Sequence, residues 1–404
     1  MGTLDSVAIF AFLIVFALFS KRIQGTAITP PTLFVGFGLL MGPQVLGIVV
    51  LDFSSHVMHQ LAELTLVMVL FTDAANIDFP FYMRNRNLTR RLLGIGLPLT
   101  IAAGFGVAAL LFDNLTLLEA AILAVILAPT DAALGQAVVS NEKIPHKIRQ
   151  ALNIESGLND GIAVPVLKAL LAAVVISVGS ATGGESEGFW TVLGKALGYG
   201  MLIGFVVGRL TAKLMDKAMD SKWMSHTYRR ISLLAVPLLS YVVSEHVGGS
   251  GFIAAFIAGI TMGTRKGHPE KEDFEFAHET GELLSYITWI VFGAAIVGPS
   301  LVGSTWPIVL YAVLSLTVIR MLPVAISLVG SGSGWETNLF LGWFGPRGLA
   351  SIVFLIVAIH EPSVQGADTI TRAVVWTILL SVVLHGATAH AGANLYASRQ
   401  PEQE

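Results

Sequence analysis

The chain has 404 residues, 54% of them hydrophobic and only 13% charged, with a formal net charge of -3 and no cysteine. A soluble domain is roughly a quarter charged, so this composition excludes one and specifies an all-α polytopic membrane protein. The near-neutral balance gives no electrostatic case for nucleic acid, and the lack of cysteine excludes disulfides and thiolate metal sites.

A spanning helix needs about 20 mostly apolar residues. Met1 to Ser20 carries Asp5 in its leader and is followed by Lys21-Arg22, the reverse of a cleavable signal peptide. It reads as a retained first span, 4–20. Further spans are expected at 29–47, 58–77, 89–112, 117–139, 146–177, 188–216, 228–247, 250–265, 274–298, 303–330, 336–360 and 368–395, about thirteen in all. The division between the eighth and ninth falls in Gly248-Gly249-Ser250-Gly251. The polar stretches 178–188 and 217–227 read as loops, and no soluble domain is expected. Alternate connections and their helix ends hold 18 of the 24 basic residues, among them Lys21, Arg84, Arg86, Arg90, Arg91, Arg265 and Lys266. The opposite helix ends hold only Lys168, Lys195 and Arg372. Basic residues accumulate in cytoplasmic loops, so the N-terminus is expected outside and the C-terminus, with Arg399, inside.

Ionisable residues at membrane depth are costly and usually mark an ion or proton pathway. Asp73 stands near the inner end of the third span. In the fifth, Asp131 follows Pro129 and Thr130; a proline breaks the helix there, and broken helices at depth line cavities and coordinate ions. The plainer alternative is a kink with Asp131 as a cap. The sixth span carries Glu155, Ser156, Asn159 and Asp160. Ser156 and Asp160 share one helical face and Glu155 and Asn159 the next, all oxygen-bearing, and Asp160 lies about 20 Å along the helix, near mid-bilayer. His278, Glu279 and Glu282 open the tenth span and, with Asp73, could form an inner funnel that gathers cations or senses pH, or a wet helix end. Arg320, in the eleventh, either snorkels or pairs with Glu155. Arg347 sits at a second break, Phe344-Gly345-Pro346-Arg347-Gly348, in the twelfth. Paired interrupted helices point to a transporter site. Half-helix ends favour an acid at one terminus and a base at the other, so Arg347 reads as charge compensation. The phosphate-cradling G-x-x-x-x-G-K-[ST] is absent, so neither ATP nor an enzymatic role is expected.

The set APTDAA (128–133), ESGLNDG (155–161), VIRMLPV (318–324) and FGPRGLASIVF (344–354) resembles the NhaP-type sodium/proton antiporters, in the cation/proton antiporter superfamily. The resemblance covers nearly the whole chain. It implies an NhaA-like antiporter fold with inverted repeats and two crossing discontinuous helices, here the fifth and twelfth spans. It also implies a homodimer that moves like an elevator in a prokaryotic cytoplasmic membrane. The core would include about 58–177 and 274–360, and the dimerisation domain about 4–47 and 188–247. By motif, Asp160 is the shared cation and proton carboxylate, with Asp131, Ser156 and the backbone oxygen of Thr130 as further ligands. Glu155 is the partner of Arg320, and Asn159-Asp160 resembles the electroneutral branch, which exchanges one proton per cation. The substrates would be H+ and Na+, with Li+ or K+ as alternatives, and no cofactor. A cation channel and a signalling protein on a transporter fold are the rivals from other classes; an acidic site speaks against an anion symporter.

Overall fold

The computed structural model describes residues 3–23, 26, 28–50, 56–77, 87–131, 134–139, 141–181, 189–264 and 271–399. Arg84, Arg86, Arg265, Lys266, the Ala132-Ala133 end of the first motif and the stretch 182–188 lie outside the described residues. Among the described residues all regular structure is helical, and helix falls on every stretch read as a span. Among the described residues eight helices are long and apolar enough to cross a membrane, from Asp5–Ile23 to Ala367–Arg399. Four apolar ones are shorter: Pro30–Met41, Leu117–Ile126, Gly251–Gly263 and Leu349–Ile359. Two of these are half-helices that stop at the breaks. The sixth helix, His146–Ala181, runs on into the stretch read as a loop, and the seventh, Phe189–Asp220, likewise extends past 216. Gly248, with φ +79, makes the turn between the eighth and ninth helices, His226–His246 and Gly251–Gly263.

Proline shapes several of the long helices. In the fourth, Asn87–Leu111, a π turn at Leu92–Gly96 precedes Pro98; in the tenth, which starts at Lys271, a π turn at Phe292–Val297 precedes Pro299. Proline has no N–H to return to the carbonyl four residues back, and a locally widened turn absorbs the defect. The eleventh is broken at Thr317 into Trp306–Leu316 and Val318–Ser327, three residues before Arg320. The span pattern did not anticipate that break.

Helices in lipid gain little from apolar burial against one another, so they associate by close backbone approach at small residues. The third helix, His56–Ala75, lies along the ninth at Gly259 and Gly263, where a Cβ would overlap the carbonyls of Phe71 and Ala75. Gly204 and Gly208 of the seventh meet Ala254 and Ala258 of the ninth. Gly38 and Gly42, spaced G-x-x-x-G on the second helix, meet Ile290 and Ala294 of the tenth, and Gly293 meets Val35 in return. The outer surface stays apolar, with Phe10, Ile14, Leu18, Phe205 and Leu210 all exposed, as a lipid-facing protein requires.

A Gly293→Ala substitution forces the second and tenth helices apart, because its Cβ would fall on the Val35 carbonyl. The expected loss is about 1–3 kcal/mol, read as a lower midpoint of thermal unfolding in detergent. Gly106→Ala, whose Cβ position is open, is expected to leave the midpoint unchanged or to raise it slightly.

Candidate functional site

The two chain breaks lie against each other. The first half of the fifth helix, Leu117–Ile126, opens with a reciprocal cap between Thr116 and Glu119. Glu119 also accepts the Gly366 amide at 2.6 Å, fixing this helix to the start of the thirteenth. The chain then unwinds through Ala128–Asp131 before the short Gln136–Val139. The twelfth helix unwinds between Trp335–Trp343 and Leu349–Ile359.

Each break satisfies the polar ends left by the other. A helix end leaves up to four backbone groups without partners, which is costly away from water. The Arg347 guanidinium, fully buried, donates through Nη1 to the carbonyls of Ala128 at 2.6 Å and Pro129 at 3.1 Å. Ser351 donates to the Ile126 carbonyl at 2.7 Å. In the other direction, Asp131 Oδ2 accepts the Leu349 amide at 2.8 Å, and its own amide donates to the Pro346 carbonyl at 2.8 Å. Asp131 therefore caps the crossing helix as well as facing the site. Glycine is required at two points of close approach. A Cβ on Gly348 would overlap the Asp131 carboxylate, and one on Gly345 would overlap the Arg320 guanidinium.

The thirteenth helix, Ala367–Arg399, supplies a support that the sequence reading missed. Ser381 Oγ accepts the Arg347 amide at 2.7 Å. His385 lies 2.8 Å through Nε2 from the Trp343 carbonyl at the end of the first half-helix. Ser381 is a small polar group in an apolar run, so only the packing reveals it, whereas a histidine at membrane depth is a signal in the sequence itself.

The sixth helix passes beside the breaks. Ser156 donates to the Thr130 carbonyl at 2.7 Å, and Asn159 Nδ2 donates to Thr130 Oγ1 at 2.7 Å. Glu155 Oε1 pairs with Arg320 Nη1 at 2.7 Å, with both side chains almost wholly buried. A cavity of about 10 Å³ is lined by Thr130, Asp131, Gly135, Leu152, Ser156, Phe344 and Pro346. That is about the room one water-sized occupant needs.

Asp160 stands one turn beyond Ser156 and is 7% exposed. Its Oδ1 has no hydrogen-bond partner, nor does the buried Oδ1 of Asn159. Asp73 and Asp131 lie close enough for their charges to act on it. Asp73 lies against the sixth helix at Gly157, where even a Cβ would stand at ordinary contact distance from it. His278 acts electrostatically on Asp73 and is itself exposed, as are Glu279 and Glu282; Tyr286 donates to Glu282 at 2.6 Å. The structure thus brings Thr130, Asp131, Ser156, Asn159 and Asp160 together, sets Glu155, Arg320 and Arg347 immediately behind them, and leaves His278, Glu279 and Glu282 at the surface beyond Asp73. Sequence position had put Asp73 near the inner end of its span; the packing of the third helix against the sixth brings it within electrostatic reach of Asp160.

Two half-helices crossing at a buried acidic site define a secondary transporter built on an antiporter fold. The comparisons agree. Residues 8–392 match the family model for the transmembrane sodium/hydrogen exchanger, and the chain belongs to that family, one of transporters rather than enzymes. Over 393 residues it is 24% identical to a Na(+)/H(+) antiporter of Schizosaccharomyces pombe, covering 87% of this chain and 82% of that one. It is 27% identical over 352 residues to the K(+)/H(+) antiporter NhaP of Alkalimonas amylolytica, covering 86% of this chain and 58% of that one. Several curated relatives are longer; the chain spans 51% of a probable Na(+)/H(+) antiporter of S. pombe. The solved structure of the sodium proton antiporter MjNhaP1 from Methanocaldococcus jannaschii at pH 8 superposes with a TM-score of 0.78 at 21% identity, covering 98% of this chain and 99% of that one.

Removing one partner of a buried ion pair leaves an uncompensated charge, so Glu155→Gln is expected to destabilise the protein by about 3–5 kcal/mol. Thermal unfolding in detergent measures this. Replacing both Glu155 and Arg320 by apolar residues of similar volume is expected to recover most of that loss.

Proposed function

We propose that this protein exchanges a monovalent cation, Na+ or Li+, for H+ across a prokaryotic cytoplasmic membrane, with Asp160 as the seat both ions use in turn. The observation that carries this reading is the buried Asp160 oxygen without a partner, beside two other acids and a cavity lined by Thr130, Asp131 and Ser156. A carboxylate cannot stay bare in such a place; it is neutralised by a proton or compensated by a cation.

The surrounding charges support a one-for-one exchange. Arg320 and Arg347 balance Glu155 and Asp131, and Asp73 faces His278 at the mouth. Asp160 is then the surplus negative charge, and one proton or one monovalent cation cancels it. Asn159 contributes an N–H to Thr130, a bond that an aspartate could not donate, and adds no charge. The transport cycle is therefore electroneutral. The core around the breaks moves when Asp160 is occupied and rests when it is bare, since carrying a naked charge past apolar surface costs several kcal/mol.

The thirteen-span topology, with the N-terminus outside, puts Asp73 and His278 toward the cytoplasm and the opposite ends of the sixth and twelfth helices outside. At those outer ends Lys168 meets Glu245 at 3.4 Å and His360 packs on His59 with ring centroids 4.7 Å apart. A half-exposed ion pair such as Lys168–Glu245 is worth about 0–1 kcal/mol, which suits a contact between core and dimerisation domain that parts in every cycle. The protein works as a homodimer, the exposed apolar faces of the first and seventh helices serving lipid and partner. The longer K(+)/H(+) relatives favour K+ as the second reading for the cation.

Asp160→Asn is expected to abolish pH-gradient-driven Na+ flux in proteoliposomes while the protein remains folded; robust flux would sink the assignment. Running the wild type with Na+, Li+ and K+ in parallel identifies the cation. Asn159→Asp is expected to fold. Wild-type flux is expected to ignore an imposed membrane potential, and a clear voltage response at zero ion gradient contradicts electroneutrality.

A further inference from the structure

We propose that the groove between the fourth and sixth helices binds an anionic phospholipid, its phosphate on Arg90 and one acyl chain laid along the face of the sixth helix opposite Asp160. The groove has a volume of about 770 Å³ and is lined by Asn87, Arg90, Arg91, Leu93, Gly94, Ile95, Leu158 and Ile162. It is divided by chemistry: basic and amide groups at one end, apolar side chains along the rest.

Among the described residues, the basic end carries charge that no acid pairs with. Arg91 is pinned by Asn87 Oδ1 at 3.3 Å and by the carbonyls of Ser327 at 3.2 Å, Val329 at 2.6 Å and Gly330 at 3.4 Å. All four are neutral acceptors, so its positive charge persists at the mouth of the groove. Arg90 is exposed, and no carboxylate lines the groove. A basic residue near an anionic membrane surface contributes about 1 kcal/mol of attraction. Both arginines lie in the connections that the charge distribution assigns to the cytoplasm, where the leaflet is anionic.

The apolar end exists because of the π turn. Leu92–Gly96 widens the helix just where Gly94 and Ile95 face the groove, and Gly94 has no atom within 4 Å of its Cβ position. Leu158 and Ile162 form the opposite wall, two residues before and two after Asp160. A chain seated there would rest on the turn of helix that carries the exchange site and would travel with it.

The test uses the full-length protein, stripped of lipid in detergent. Native mass spectrometry measures retention of added phosphatidylglycerol, and thermal unfolding is followed with phosphatidylglycerol or inorganic phosphate. Arg90→Ala is expected to lower retention about fivefold. Gly94→Phe keeps both arginines, places its ring in open space and is expected to lower retention to a similar degree. In the wild type, phosphatidylglycerol is expected to raise the unfolding midpoint and inorganic phosphate is not. Undiminished retention in either variant overturns the proposal. An equal rise with inorganic phosphate also overturns it, since the site would then hold a free anion.

Discussion

The structure depends on one exchange between two interrupted helices. Each break exposes backbone ends that lipid cannot satisfy, and each supplies the charge that the other needs. Arg347 takes the carbonyls of Ala128 and Pro129; Asp131 takes the amide of Leu349. Neither break is tolerable alone. A half-helix of 10 residues covers only about half the hydrocarbon core, so the remaining depth must be irregular chain, permitted where it is buried in protein or lines a cavity.

Once the crossing is closed, the ledger of buried polar groups leaves a remainder. Thr130 is held by Ser156 and Asn159 and one oxygen of Glu155 by Arg320, while Asp160 Oδ1, like Glu155 Oε2, Asn159 Oδ1, Arg320 Nε and two nitrogens of Arg347, is buried with no hydrogen-bond partner. Folding alone would select against a group such as Asp160. Its retention makes sense if the missing partner arrives from solution. On the proposed reading, the two arginines offset two carboxylates, and whatever binds Asp160 would decide the net charge of the part that moves. Coupling then needs no separate gate: one seat, two claimants, and a barrier that falls only when the seat is filled.

Much of this was legible in the sequence because charge is rare in the apolar runs. Asp131, Asp160, Arg320 and Arg347 stand out against their neighbours, and proline and glycine beside Asp131 and Arg347 announce the breaks. Other features are marked less plainly. Ser381 and His385 support the twelfth-helix break from the thirteenth helix; serine is ordinary in a span, while a histidine at membrane depth is rare and was a signal the reading passed over. The Thr317 break lies in a run that reads as continuous helix. Asp73 comes near Asp160 through the packing of the third helix against the sixth, a relation between two helices that spacing within either cannot express. The first residues of the stretch read as a loop from 178, Val178-Gly179-Ser180-Ala181, continue the sixth helix beyond the length that lipid demands.

The central claim is that cation and proton exclude each other at a single carboxylate. Adding Na+ or K+ to purified protein in weak buffer, with released protons followed by a pH-sensitive dye or by calorimetry in buffers of different ionisation enthalpy, tests it most directly. The account predicts proton release that saturates with cation binding, approaches one proton per cation and vanishes in Asp160→Asn. Cation binding of normal affinity with no proton released would contradict it.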